Sequence, residues 1–220
     1  MKRFSLKYSL LTFKLDQLWF PLAFLLLFCI ISGIEKDAPQ LPQMARGYLG
    51  AALPLVGGIL SAYAVLEDPA LEIRFATPIS SMQTLLERLG LIFIVQAAAA
   101  LLYQLFYIAI GAEFSFYASF WQLQLAWFIP TFSLMMLGCA FSLLAANSMV
   151  GALTSGMVWI VELIARGWFA LNNGKYLLIF MSPFMTDHPD LIANQITLVA
   201  VSCALFLSSW ALLDRQERYI

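Results

Sequence analysis

The sequence predicts an all-α, polytopic membrane protein. Three observations carry that expectation. The 220-residue chain is 62% hydrophobic and only 11% charged, whereas a soluble domain is usually about 45–50% apolar and about 25% charged. Its apolar runs are long and unbroken. Its lysines and arginines, Arg166 apart, fall at the two ends of the chain or in the short stretches between those runs. A spanning helix needs roughly 20 apolar residues, and only helices or closed barrels satisfy the backbone inside hydrocarbon. Runs of this length exceed the roughly ten-residue strands of a membrane barrel.

Six spans are expected: Leu18–Ile34, Gly47–Leu66, Leu89–Gly111, Phe120–Ala145, Val150–Leu171 and Ile192–Leu213. The first follows a basic stretch, as a signal peptide would, but it is longer than a signal core of about 7–15 residues. No small-x-small cleavage site follows it closely, so a retained span is expected. Between Glu113 and Glu162 lie 48 residues without a charge. That is too many for one span and enough for two joined by a tight turn, for which "AANSMVG" with Asn147 and Ser148 is the best candidate.

Orientation follows from basic residues in the short loops. Lys2, Arg3, Lys7, Lys14, Arg74, Arg88, Arg215 and Arg218 fall on one side, and Lys36, Arg46 and Lys175 on the other. The asymmetry puts both termini in the cytoplasm of a cell (inner) membrane protein. Residues 1–17 carry a Phe4, Tyr8, Leu11, Leu15 stripe beside Arg3, Lys7 and Lys14. This reads as an interfacial helix, with a plain basic flank as the alternative.

Several chemistries are excluded or unsupported. A net charge of −1 gives no bulk attraction to nucleic acid. Cys29, Cys139 and Cys203 lie apart in apolar segments and read as buried hydrophobes. His188 is the lone histidine, so no metal site is expected. No G-x-x-x-x-G-K-[ST], G-x-S-x-G or H-E-x-x-H occurs, so the chain is expected neither to be an enzyme nor to bind a cofactor of its own.

One polar stretch interrupts the apolar chain, "LEDPALEIRFATPISS" from Leu66 to Ser81, with four charged residues and two prolines. Asp68 suits an N-cap, Pro69 the first helical position, and Glu72 the positive end of the helix dipole. Pro78 disfavours the helical conformation at Thr77. A two-turn helix over about Pro69 to Ala76 results, within a cytoplasmic loop over 67–81. Leu71 and Phe75 share one face of it. Ser80 and Gln83 then match a capping box for the next helix. A two-turn helix is unstable in water and needs a surface to pack on.

"LEIRFATPIS" followed by "LLERL" resembles the cytoplasmic loop of type-2 permeases of ATP-binding-cassette (ABC) exporters. The matching residues are Leu71, Glu72, Thr77, Pro78, Leu85, Leu86 and Arg88. The chain departs at Asp68-Pro69, where many members have a basic residue or glycine. The six-span layout, the cytoplasmic termini and the short fourth-to-fifth turn agree with that family.

The resemblance implies that the 67–81 loop carries a coupling helix, with Leu71, Glu72, Arg74, Phe75, Thr77 and Pro78 meeting a separate cytoplasmic ATPase. That subunit would supply ATP and Mg hydrolysis, and this chain would move substrate outward. A second permease copy or a sister permease would complete the transporter, surrounded by membrane lipid. A non-transporting membrane assembly or scaffold subunit is the rival reading.

The 172–190 segment has an apolar core too short to span and reads as re-entrant before the last span, with an ordinary amphipathic outer loop as the alternative. Glu162 and Arg166, at i and i+4 within a span, are expected either to pair or to line a pathway. Gln96, Gln104, Gln122 and Gln124 suit a cavity lining or bonds between helices. Gly47, Gly50, Gly57 and Gly58 permit close helix packing, within the chain or at a dimer seam.

The basic asymmetry makes a direct prediction. In whole cells an impermeant thiol reagent should label a cysteine placed at Lys175 and not one placed at Arg74. Labelling of both from outside would overturn the orientation.

Overall fold

A computed structural model of the protein describes residues 16–36, 38–67 and 80–214, and among these the secondary structure is helical, without strands. The elements are α1 (Asp16–Ile34), α2 (Leu41–Gly47), a π turn (Tyr48–Ala52), α3 (Leu53–Tyr63), α4 (Ser81–Ala109), α5 (Phe120–Ala145), α6 (Ser148–Leu171), a 3₁₀ turn (Asn173–Leu177), α7 (Met181–Phe184) and α8 (Leu191–Leu213). The N-terminal helix expected over residues 1–17 lies almost wholly outside the described residues, as does the helix expected over about 69–76.

Four helices, α4, α5, α6 and α8, are long and apolar enough to cross a membrane, which makes the chain a multi-pass membrane protein. The first expected span falls on α1, whose apolar part, Leu18–Ile34, is shorter than those four helices. The helical run over the second begins earlier than expected, at Leu41, because Pro42 suits a helix start. It reaches Tyr63 through the π turn as three successive helical pieces. The third starts at Ser81, eight residues before the apolar run. There the Ser80 hydroxyl accepts from the Gln83 N–H at 3.2 Å, the cap that the sequence predicted.

The tight turn falls where expected. Ala146 adopts a left-handed φ of 52°. Asn147 N–H returns to Ser142 O at 3.0 Å, closing the end of α5. The Asn147 side chain then accepts from Met149 N–H and opens α6. Chain direction thus alternates. Residues 67, 80–81, 147–148 and 214 gather at one end of the bundle, and 110–119 and 172–190 at the other.

α5 is the centre. Of its most apolar stretch 67% is buried inside the protein, against 22% for α6 and for α8. It packs on α3, α6 and α8. Leucine and isoleucine side chains elsewhere on α4, α6 and α8 face outward, among them Leu105, Ile164 and Ile196, as lipid-facing surfaces should. The tightest crossing joins α3, α5 and α6 through small residues. A Cβ on Gly138 would collide with Gly58 O and lie 2.9 Å from both Ser61 Oγ and Ser155 Oγ. A Cβ on Gly151 would collide with Gly138 O. Ser61 bridges the same crossing by donating to Met135 O at 2.7 Å. Gly57, Gly58, Gly138 and Gly151 therefore serve crossings within one chain, Gly50 lies against Pro183, and a Cβ on Gly47 would meet nothing within 4 Å.

Gly138→Ala should cost at least about 1–3 kcal/mol, because the obstacle is backbone and cannot rotate aside. Melting curves of purified protein should show it. Gly90→Ala, whose Cβ meets nothing within 4 Å, should leave the midpoint nearly unchanged.

Candidate functional site

The sequence-predicted residues Leu71, Glu72, Arg74, Phe75, Thr77 and Pro78 lie outside the described residues, but the anchors of their loop do not. At its start, Glu67 accepts from the Ser148 hydroxyl of α6 at 3.0 Å. At its end, Ser81 donates to the Asp214 carboxylate at the close of α8. Arg88, two turns into α4, is buried. The loop between α3 and α4 is therefore tied at both ends to the helices that flank the 172–190 connection.

That connection is the second candidate site. Apolar side chains alone explain its fold poorly, because a short turn inside a bundle leaves backbone groups without partners. Neighbouring helices supply them. Glu162 of α6, only 6% exposed, accepts the Ile179 N–H at 2.7 Å, with Phe180 N–H as a further donor to it. A carboxylate thus caps the approach to α7 from another helix. Asn194 of α8 donates to Lys175 O at 2.7 Å and to Leu178 O at 3.0 Å. Gln195 donates to Ser182 Oγ and Gln122 to Thr186 O, both at 3.1 Å.

Packing completes the seating. Leu178, Ile179, Phe180 and Met181 are buried. Pro183 sits where a side chain on Gly50 would stand, and Trp159 Nε1 reaches Ala51 O of the π turn at 2.9 Å. At the surface, Lys175 pairs with Asp190 at 2.6 Å, and this hydrogen bond holds the lysine pKa above its usual value.

Glu162 and Arg166 do not meet each other. Glu162 turns inward to the backbone of 179–180, whereas the exposed Arg166 places its guanidinium 5.2 Å from the centre of the Phe184 ring. An i, i+4 spacing permits a pair, but two backbone donors satisfy the carboxylate better inside the bundle. The glutamines serve mainly as bonds. Gln124 joins Gln104 at 2.8 Å and also accepts from Trp127, while Gln96 is wholly buried. The roles of Asn194 and Gln195 escaped sequence reasoning, although two adjacent amides in the first turn of a span were the available signal.

No group of three or more histidine, cysteine, aspartate or glutamate side chains among the described residues is placed to hold a metal ion. No protein-family model, curated protein or solved structure matches the chain.

Glu162→Ala should cost about 1–3 kcal/mol by stranding buried N–H donors. Combined with Arg166→Ala, the two effects should add to within about 0.5 kcal/mol, because the residues share no partner. Thermal unfolding of the singles and the double measures this. A large departure from additivity would mean that they pair after all.

Proposed function

We propose that this chain is the transmembrane permease subunit of an ABC exporter and moves substrate outward with ATP hydrolysed by a separate cytoplasmic subunit. In this reading α1 and the helical run from Leu41 to Tyr63 join the four long helices as six spans. Both termini and the 67–81 loop face the cytoplasm of the inner membrane. Residues 172–190 form a re-entrant segment at the outer face. The permease works as a dimer with itself or a sister chain, and ATP and Mg are bound by the ATPase partner.

One observation supports the reading above the others: the anchorage of the 67–81 loop. A loop that only skirted the headgroups would need no ties to distant helices. Here Glu67 is tied to α6 and Ser81 to the end of α8. A push on the loop therefore reaches the two helices that carry the 172–190 connection. The resemblance of "LEIRFATPIS" and "LLERL" to coupling loops supplies the partner that would push.

In this reading Leu71 and Phe75 are apolar anchors in a cleft on the ATPase, and Glu72 is a polar contact. Burying one such side chain is worth roughly 1.5–3 kcal/mol, and buried anchors carry most interface energy. Phe75→Ala should weaken co-purification of the ATPase by about tenfold or more, since about 1.4 kcal/mol is a factor of ten. The permease itself should keep its melting temperature. If Phe75→Ala and Glu72→Ala leave complex formation and ATP-driven transport intact, the loop is a membrane-surface loop and the scaffold reading gains.

A further inference from the structure

A cavity of about 380 Å³ opens beside the connection between α4 and α5. Pockets that hold small ligands run from about 300 to 1,000 Å³. Its wall is built by the chain reversal after α4. Gly111 takes a φ of 84°, which glycine adopts without strain, and the chain then lays a row of rings along the bundle end. Tyr107 and Phe114 are 4.4 Å apart, Phe114 and Phe116 5.7 Å, and Phe116 and Tyr117 4.8 Å.

Phe114, Tyr117 and Phe120 line the cavity together with Ser119 and Glu113. Glu113 is the one charged residue of the lining and is exposed. Among the described residues no cation pairs with it. Arg46 does not line the cavity. Its guanidinium lies 4.8 Å from the Phe116 ring centre and donates to Phe116 O at 3.4 Å. Burial raises the Tyr117 hydroxyl above the usual tyrosine pKa, against the pull of Arg46, so this ring stays neutral.

A free carboxylate among aromatic faces is the chemistry that recognises an organic ammonium group. A second observation says what carries that ammonium. Below the cavity, α4 exposes Leu101 (48%), Leu105 (65%) and Ile108 (59%). Their i, i+4, i+7 spacing makes one continuous strip down the helix, and Ile108 also lines the cavity. Beside it, Phe120 and Trp121 are exposed at the start of α5, the depth at which aromatic belts mark the headgroup layer. A largely apolar pocket that carries one carboxylate, Glu113, thus continues into an apolar track for a chain.

We propose that this cavity binds the ammonium headgroup of a phospholipid in the adjacent leaflet, such as phosphatidylethanolamine, with an acyl chain along Leu101, Leu105 and Ile108. Glu113 neutralises the ammonium, and the aromatic side chains of the wall flank it. The proposal does not depend on the exporter reading.

The test uses the full chain in nanodiscs of phosphatidylethanolamine or of phosphatidylglycerol alone. The wild type should melt at a higher temperature in phosphatidylethanolamine, and Glu113→Gln should remove that difference while leaving the midpoint in phosphatidylglycerol unchanged. Native mass spectrometry should show about two- to fivefold less retained phosphatidylethanolamine on the variant, the range expected for an exposed cation contact. Equal midpoints of the wild type in both lipids, or a difference that survives Glu113→Gln, would overturn the site. Soluble O-phosphoethanolamine is added to the phosphatidylglycerol discs as a further arm. If it reproduces the stabilisation in full, the site takes a free amine and the lipid occupant is wrong.

Discussion

The crossing of α3, α5 and α6 at Gly58, Gly138 and Gly151 is the constraint on which the rest of the bundle depends. Lipid tails are as apolar as leucine, so burying leucine between spans gains little over leaving it in the bilayer. What remains is contact density, and backbones that touch give the most of it. Three helices meet here with almost nothing between them. Ser61 uses the closeness to reach Met135 O across the crossing, and Ser155 turns back to Gly151 O. With these helices held, α5 becomes the buried axis, and α1, α4 and α8 attach around it.

The 172–190 connection shows how the same solvent treats a chain that is neither helix nor strand. Water cannot be relied on for its N–H and C=O groups, so side chains take them one by one. Glu162, Asn194 and Gln122 come from three different helices. Their ties fix the segment relative to α6, α8 and α5 at once. The cost is that an acidic side chain stays inside the bundle without a cation. Two backbone donors meet its oxygens, so the buried group keeps hydrogen-bond partners. The segment is therefore held by these hydrogen bonds together with the buried side chains of Leu178, Ile179, Phe180 and Met181.

Much of this was legible in the sequence. Long apolar runs located α4, α5, α6 and α8, because hydropathy depends only on composition over a window. The Ser80 cap and the Ala146–Asn147 turn were legible because both follow from chemistry within a few residues. The π turn was not, since it answers to Pro183 from a segment more than a hundred residues away. Nor was the choice of partner for Glu162. Spacing along one helix points to Arg166, yet tertiary placement of 179–180 offers better donors. The cavity by Glu113 likewise needed the fold, which alone brings Ile108 and Phe120 against the aromatic loop. For the 67–81 loop, resemblance alone carried the reading of its role, and the structure adds only the anchors on either side.

The first of those anchors and the Glu162 tie lie on one helix. Ser148, at the first residue of α6, holds Glu67, and Glu162, fourteen residues on, holds Ile179. At 1.5 Å per residue the two ties are about 21 Å apart along a continuous helix. A helix of that length behaves as a rod when its interior hydrogen bonds are intact, and α6 has no internal proline. The two ties therefore sit near opposite ends of one helix without an internal proline. α8 offers the parallel route, from Asp214 at one end to Asn194 near the other. The polar connection between α6 and α8 is thus gripped by the two helices whose far ends hold the loop.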